Sequence, residues 1–412
     1  MRSLRFTRAP LALMVMAFTV ASCGLGTSSN GTPTNNKDII VGISEPLTGD
    51  KSDIGTNSDN GYKVWESVVN ANGGINGRKV KIIQYDNNSL ADTAVSQYQK
   101  LVQVDNVDVL LGPVSSALVI PTEAVAAQYG KIFVEGTGGS PQVFARNFNN
   151  VFFVQPATVQ HQADPLVNWI TSLPADQRPT TAGYPTNDDP FAQAVVETVK
   201  AAFEGMGIKT GYKETTYPPT QTDFTSIGTQ MKHAGVDILV QGSVADQDAA
   251  GAVKGYSQVG FQPTVSYFAS GPDSASTWLQ LLAGKSEGTM TSLDWLQESS
   301  VPGNKEFVDA YLQMFPNKDN AVPAEAAEAY AAGEVLAAAI KATGGVDNAK
   351  LISWLHANKV QSIEGNFGWD SAGRPQGGTF DLIQWQSGHL NIVWPLDVAT
   401  NGTKPTIPKP HW

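Results

Sequence analysis

The sequence predicts an α/β protein with two similar lobes, each built on a parallel sheet. Short apolar runs that suit buried strands alternate with segments whose apolar residues recur at helical spacing. The alternation begins at Asp38 and restarts after Val154. The run VDVLLG at 107–112 is also echoed by VDILVQG at 236–242, in each case ahead of a Ser-containing turn. One large sheet is the alternative that this pattern leaves open.

The first half of the chain reads as four strands with helices between them. A helix is expected around Tyr62 and Trp65, ending at the glycines after Asn72, and further helices are expected at 90–104 and 117–128. The expected strands are 39–44, 79–85, 107–111 and 131–135. Strands that are joined through helices pair in parallel, with helices on both faces of the sheet.

The second half repeats this rhythm. The expected helices are 161–172, 191–205, 222–234 and 245–259, and the expected strands are 180–184, 208–216, 236–240 and 263–268. A further, alanine-rich helix is expected at 324–341, with acidic residues in its early turns where they favour the helix dipole. The tail from Pro395 is rich in proline, so it should be extended and lie against the body through Trp412.

Composition excludes several functional classes. The chain has 412 residues, with 27 Lys+Arg against 38 Asp+Glu and a net charge of −11, which disfavours nucleic-acid binding. The single cysteine excludes an internal disulfide, and the five histidines show no HExxH spacing, so no metal or other cofactor is expected. Because neither a GxSxG nor a GxxxxGK[ST] motif occurs, an α/β-hydrolase and an ATPase are also disfavoured.

The N-terminus predicts export and a lipid anchor. Basic residues precede an apolar run at 10–21, which is too short for the roughly 20 residues of a membrane span but suits a secretory signal. Val20-Ala21-Ser22-Cys23 resembles a bacterial lipobox, so we expect a signal peptide at 1–22 and a lipidated Cys23 that begins a polar tether at 23–37. An ordinary signal that happens to precede a cysteine is the alternative. Anchoring would hold the body at the outer face of the cytoplasmic membrane.

The loop at 112–116 is the first candidate ligand site. It follows the expected strand 107–111 and leads into a helix, and ligands of open α/β sheets bind at such positions. Its backbone N–H groups and the hydroxyls of Ser115 and Ser116 could bind a carboxylate, with help from the helix dipole. A role as helix N-cap is the alternative for either serine.

Other candidates come from three later segments. The loop 135–141 (EGTGGSP) offers the hydroxyl of Thr137, and glycines such as Gly138 would let its backbone approach a ligand closely, although it could also be an ordinary turn. Asp246 and Asp273 follow expected strands of the second half and could hold an ammonium group. Both could equally be helix N-caps.

Several blocks of the sequence together resemble a known family. The strand and loop IIVGISEPLTGDKSDIG, the turn and strand NANGGINGRKVKIIQYDN, and the long block from Val107 to Pro141 occur in the family's order, and later similar pieces include the segment 187–191, Glu328-Ala329-Tyr330 and 365–370. They are similar to the type I periplasmic substrate-binding proteins of ABC importers, the leucine/isoleucine/valine-binding-protein family. The resemblance spans about residues 38–398.

This resemblance implies two Rossmann-like lobes that are joined by three crossover strands and close on a solute. It adds Val114 and an aromatic residue, Phe191, to the ligand contacts. The implied protein is a monomer, has no catalytic activity and delivers a branched-chain amino acid, an amide or a related carboxylate to an ABC permease. The alternatives are a ligand sensor of the same fold and a secreted enzyme. The expected lobes are residues 38–156 with 294–382, and residues 157–293 with 383–412.

The sequence departs from the family at two contact positions. Ile54 stands where the family has an aromatic contact, and Gly139 stands where the family places a threonine. The resemblance therefore leaves the solute open.

Overall fold

Two parallel sheets organise the chain. The computed structural model describes residues 37–273 and 275–412. The expected signal peptide, Cys23 and the tether up to residue 36 lie outside these residues. Each sheet carries helices on its faces, so the α/β fold with two parallel sheets is confirmed. We call the two parts the five-stranded half and the seven-stranded half.

The five-stranded half is built on an all-parallel sheet with the order β2-β1-β3-β4-β5. Every residue of β1 except one is buried, as expected for a strand with helices on both sides. Its strands are β1 (Ile39–Glu45), β2 (Val80–Asp86), β3 (Val109–Leu111), β4 (Phe133–Glu135) and β5 (Val151–Phe153).

The later strands complete the seven-stranded half and a small antiparallel sheet. They are β6 (Thr181–Asn187), β7 (Lys209–Tyr217), β8 (Ile238–Gln241), β9 (Val265–Phe268), β10 (Thr289–Leu293), β11 (Val360–Ser362), β12 (Gly365–Trp369), β13 (Pro375–Gln376), β14 (Asp381–Gln386) and β15 (His389–Trp394). The large sheet has the order β15-β14-β10-β9-β8-β6-β7, and β14 is antiparallel to both of its neighbours, β10 and β15. Its five parallel strands repeat the order of the first sheet, and β8 occupies the place of β3. This equivalence explains the sequence echo between 107–112 and 236–242.

Helices cover both sheets. In chain order they are α1 (Ser52–Ala71), α2 (Ala91–Gln103), α3 (Ser116–Gln128), α4 (Pro141–Phe144), α5 (Asp164–Ser172), α6 (Pro190–Gly205), α7 (Thr225–His233), α8 (Asp246–Gln258), α9 (Ala275–Leu282), α10 (Asn304–Met314), α11 (Ala324–Thr343) and α12 (Asn348–Ala357). Helices α10 to α12 return to the five-stranded half, where α11 packs along α1. Among the described residues, no helix is both long enough and apolar enough to cross a bilayer.

Two chain features agree with their sequence: the glycine that ends helix α11 and the tryptophan that holds the C-terminal tail. Gly344 terminates α11 with a left-handed backbone (φ 75°) that glycine adopts without a Cβ penalty. Trp412 stacks on Tyr256 with the ring centroids 6.2 Å apart, so the extended tail lies against the seven-stranded half as expected.

The chain passes between the two halves three times. The connections are residues 154–163 after β5, residues 294–303 after β10 and residues 377–380 before β14. In the first connection the Gln162 side chain donates to the backbone oxygens of Ala269 (2.7 Å) and Ser292 (3.4 Å). The first connection therefore lies beside the carboxyl ends of β9 and β10.

Candidate functional site

A cavity lies where the carboxyl ends of the two parallel sheets face each other. This is the position at which open α/β sheets bind ligands. Both halves and all three connections contribute to its wall. The lining residues are Ile54, Val114, Ser115, Thr137, Gln155, Gln162, Phe191, Val244, Ala269, Ser270, Asp273, Ser292, Leu293, Asp294, Glu325, Glu328 and Phe380.

The loop after β3 brings Val114 and Ser115 to the cavity. Ser115 adopts φ 81°, a strained value for a residue with a side chain, and its hydroxyl caps α3 by accepting from the N–H of Ala117. The Val114 N–H donates to Glu45 Oε2 at 3.0 Å. Ser116 is placed differently, because its buried hydroxyl accepts from the N–H of Ser140 at 3.1 Å and does not line the cavity.

Glu135 organises the glycine-rich loop after β4. Its Oε2 accepts from the N–H groups of Thr137 (3.1 Å) and Gly138 (2.6 Å). The Gly138 N–H is therefore engaged inside the protein, and Gly138 does not line the cavity, whereas Thr137 does. Glu135 and Glu45 each stand at the end of a strand, a signal in the sequence from which their role in holding the loops could have been inferred.

The seven-stranded half supplies Phe191 and Asp273. Phe191 follows Asp189, whose carboxylate caps α6 by accepting the Phe191 N–H at 2.9 Å. Asp273 lines the cavity and accepts from the N–H of Gly271 at 2.9 Å. Asp246 is fully buried in the first turn of α8, whose N-cap is Ala245 rather than Asp246. A carboxylate oxygen of Asp246 lies within 4.8 Å of one of Asp273, but Asp246 does not line the cavity.

The two halves contact each other symmetrically beside the cavity. The Ser115 hydroxyl donates to Asp189 Oδ2 at 3.2 Å, and in the equivalent place the Gln247 N–H donates to Asp53 Oδ2 at 3.2 Å. Each contact joins the start of the helix after the first strand of one half (α6 or α1) to the start of the helix after the third strand of the other half (α3 or α8). An apolar cluster of equivalent residues lies between them, made of Ile54, Val114, Ala192 and Val244. The halves are therefore closed on each other.

Three acidic residues of the wall were not predicted as site residues. Asp294 directly follows β10, and Glu325 and Glu328 lie three residues apart in the first turns of α11, so they share one helix face. The sequence did show acids at this helix start, but their position there was attributed to the helix dipole. Only the packing of α11 on α1 shows that this face is turned to the cavity.

Burial keeps these carboxyl groups from ionising readily. It raises the pKa of Asp294 to about 7, and the nearby carboxylates of Asp273 and Asp381 add to the rise. Burial likewise raises the pKa of Glu325, with a further contribution from Asp273. It also raises the pKa of Glu328, to which the Asp294 carboxylate contributes. The wall therefore holds several acids whose ionisation is disfavoured by burial and by the neighbouring carboxyl groups.

The arrangement suits binding of a small polar solute. Hydroxyls, amides and carboxylates converge on one cavity, while Ile54, Phe191 and Phe380 offer apolar surface. Ten of the seventeen lining residues are polar or acidic, so the wall can hydrogen-bond a small polar molecule while its apolar residues pack against the remainder.

Comparison with known proteins identifies a family. The family whose description is "periplasmic binding protein" matches residues 38–389, which is most of the chain. A Leu/Ile/Val-binding protein homologue of Brucella melitensis is 25% identical over 360 residues, covering 86% of this chain and 93% of its own length. The resemblance inferred from the sequence is confirmed.

Solved structures show the same fold. A solute-binding protein of an ABC transporter from R. palustris, in complex with benzoate, has a TM-score of 0.75 and 20% identity, and the likeness covers 91% of this chain and 97% of that chain. The branched-chain amino acid binding protein LivJ from Streptococcus pneumoniae, in complex with isoleucine, has a TM-score of 0.74 and 18% identity, with 90% and 100% covered. At these identities the likeness shows the fold.

Proposed function

Because the chain belongs to the periplasmic binding protein family of Leu/Ile/Val-binding proteins, we propose that it captures a small polar solute between its halves and delivers it to an ABC permease. The observation that carries the proposal is the cavity between the two sheets, whose wall comes from both halves and from all three connections. Such a wall is complete only when the halves are closed.

The closing motion provides the mechanism. A solute that touches both halves binds the closed form better than the open form, so it shifts the equilibrium by that difference in affinity. We assign the lobes as residues 38–156 with 294–382, and residues 157–293 with 383–412. The three connections between them act as the hinge, and the permease distinguishes loaded from empty protein by the angle between the lobes. The solute is bound without being converted, and no cofactor takes part.

Ser115→Ala tests the proposed site. The change removes the hydroxyl that caps α3 and that meets Asp189 across the cavity, so the closed form and the solute contact are both weakened. Loss of such a hydrogen bond should raise the solute dissociation constant by about 2- to 10-fold. The measurement is calorimetry with whichever of leucine, lysine, cadaverine or benzoate gives the largest thermal shift.

Ser96→Ala is the matched control, because its exposed hydroxyl contacts only its own helix at the Asp92 backbone oxygen. An unchanged dissociation constant in Ser115→Ala would remove this loop from the site.

Recovery of the solute intact by mass spectrometry after long incubation is expected, whereas turnover well beyond one equivalent would contradict a binding protein.

Cys23→Ala tests export and anchoring. We expect the change to prevent lipidation, so that the protein is released from the membrane or accumulates as the uncleaved precursor. Partitioning of the protein into a detergent phase measures this directly. Equal partitioning of Cys23→Ala and the unaltered chain would exclude a lipid anchor at this residue and leave an ordinary signal peptide.

A further inference from the structure

We propose that the solute of this site carries two protonated nitrogen groups, each held by carboxylates in or directly beside the cavity wall. The inference rests on the proposed function and names the chemical class of its solute. Lysine and a linear diamine such as cadaverine both have this chemistry, and they differ in that only lysine has a carboxylate. The preference for a solute with net positive charge follows from four features of the wall.

The first carboxylate set joins the two halves. It consists of Asp246, Asp273 and Glu325, and one oxygen from each lies within 4.8 Å of the others. Asp246 and Asp273 belong to the seven-stranded half, whereas Glu325 belongs to α11 of the five-stranded half. Glu325 is only 6% exposed and receives one long hydrogen bond from Asn57 (3.3 Å). A cation placed among the three would therefore hold the halves together.

The second carboxylate set lies at the second connection between the halves. It consists of Asp294 and Glu328, which line the cavity, and Glu364 beside them. Among the described residues, Asp294 Oδ2 has no hydrogen-bond partner, and neither carboxylate oxygen of Glu364 has one, although Glu364 is only 8% exposed. Buried polar atoms without partners are costly, so these oxygens indicate a missing donor.

No basic side chain of the wall balances these acids. Among the described residues that line the cavity there is no lysine, arginine or histidine. The nearby buried Lys51 is paired with Asp50 at 2.9 Å and lies outside the lining. A solute with net positive charge would supply the partner that these acids lack when they ionise, whereas an anionic solute would supply none.

The remainder of the wall favours an organic cation over a metal ion. Phe191, Phe380 and Ile54 offer apolar surface that a hydrated ion cannot use, but that can pack against the methylene groups of an aliphatic chain. Asp273 follows β9 whereas Asp294 follows β10, so carboxylates of different elements can meet the nitrogens at the two ends of such a chain. A bare divalent cation could occupy only the set of Asp246, Asp273 and Glu325.

Lysine and three analogues that lack one or both of its side-chain ammonium and its carboxylate test the inference. Norleucine lacks the side-chain ammonium of lysine, cadaverine lacks its carboxylate, and pentylamine lacks both one ammonium and the carboxylate. By calorimetry with the purified protein, lysine should bind about 10- to 100-fold more tightly than norleucine, and cadaverine more tightly than pentylamine by a similar factor. The comparison of lysine with cadaverine shows whether the site also holds a carboxylate.

Glu328→Gln tests the second carboxylate set. We expect the dissociation constant of the better of lysine and cadaverine to rise by about 10-fold or more, while the melting temperature of the solute-free protein stays the same or rises because a buried like charge is removed. A merely structural role for Glu328 would lower the melting temperature instead. Glu197→Gln, at an exposed position of α6, is the matched control and should change neither quantity.

The outcomes separate the inference from the function on which it rests. Tighter binding of leucine or benzoate than of lysine and cadaverine would overturn the inference and leave the solute-binding function intact. Equal binding of lysine and norleucine, or stabilisation by Ca²⁺ or Mn²⁺ in place of the amines, would also overturn it. Cadaverine or lysine binding that neither Glu328→Gln nor Ser115→Ala alters would place the solute outside the cavity, and the proposed function would fail as well.

Discussion

The solute-free protein is expected to be less stable at pH 7 than at pH 5.5, by about 2 kcal/mol for each strongly shifted acid. Burial raises the pKa of Glu45 and of Glu135 to about 8, and that of Asp294 to about 7. In the unfolded chain such groups ionise near pH 4, so between these limits the unfolded state holds fewer protons than the folded state. The free energy of unfolding then falls by about 1.4 kcal/mol for each such carboxyl group and each pH unit.

The sign of this dependence is fixed by the direction of the shifts. The stabilising contribution of each acid is complete below its unfolded pKa and is lost as the pH rises towards its folded pKa. The groups that act on Asp294 are acids as well, namely Asp273, Asp381, Glu328 and Glu364, and within residues 37–273 and 275–412 no basic side chain lines the cavity to reverse the trend. Urea denaturation at both pH values measures the effect.

Glu135→Gln is the sharpest variant for this test. Glutamine keeps an oxygen that can accept from the N–H groups of Thr137 and Gly138, but it cannot ionise. The variant should therefore lose part of the pH dependence, whereas Glu197→Gln on the surface should keep it. Equal stability of the unaltered protein at the two pH values would contradict the account. A bound amine should offset the part of the trend that comes from Asp294, since its affinity rises as the wall ionises, and should leave the contributions of Glu45 and Glu135 in place.

Gly61→Ala is expected to lower the free energy of unfolding by about 3 kcal/mol, the upper part of the range for overpacked cores. A Cβ at Gly61 would lie 2.1 Å from the backbone oxygen of Ala326, so α1 and α11 could not keep their present separation. Backbone cannot move aside as a flexible side chain can. The same helix pair positions Glu325 at the cavity, and so the variant should also weaken solute binding.

Gly205→Ala is the matched helix control, because a Cβ there would meet nothing within 4 Å. It should leave stability unchanged or raise it by up to about 1 kcal/mol through helix propensity. Denaturant titrations of both variants give the comparison. Equal stabilities of the two variants would show that α1 and α11 can separate without cost. The close packing of Gly333 of α11 against the Trp65 ring of α1 leads us to expect otherwise.

The periodic parts of the fold were predictable because their patterns are local. The helices expected at 90–104 and 117–128 are found at Ala91–Gln103 and Ser116–Gln128, and the alanine-rich helix expected at 324–341 is found at Ala324–Thr343. The shorter strands differ by about two residues, since β3 begins at Val109 rather than at residue 107. Helix α10 and strands β14 and β15 have weaker patterns and were not assigned.

The direction of individual side chains was not predictable. Ser115 and Ser116 are adjacent in sequence, yet the positive φ of Ser115 puts one hydroxyl at the cavity and turns the other towards Ser140. Glu325 and Glu328 reach the cavity only because α11 returns to the first sheet after the second connection. The loops after β3 and β4 lie at strand ends as expected, whereas the acidic residues Glu325 and Glu328 reach the cavity through contacts that are distant in sequence.

A crystal structure of the protein at saturating lysine or cadaverine tests the central claim most directly. The account predicts one solute molecule in the cavity between the halves, with one nitrogen within about 3 Å of a carboxylate of Asp273 or Glu325 and the other similarly close to Asp294 or Glu328. The contacts between Ser115 and Asp189 should be kept. Solute bound elsewhere, or a cavity that stays empty in protein shown by calorimetry to be saturated, would contradict the account.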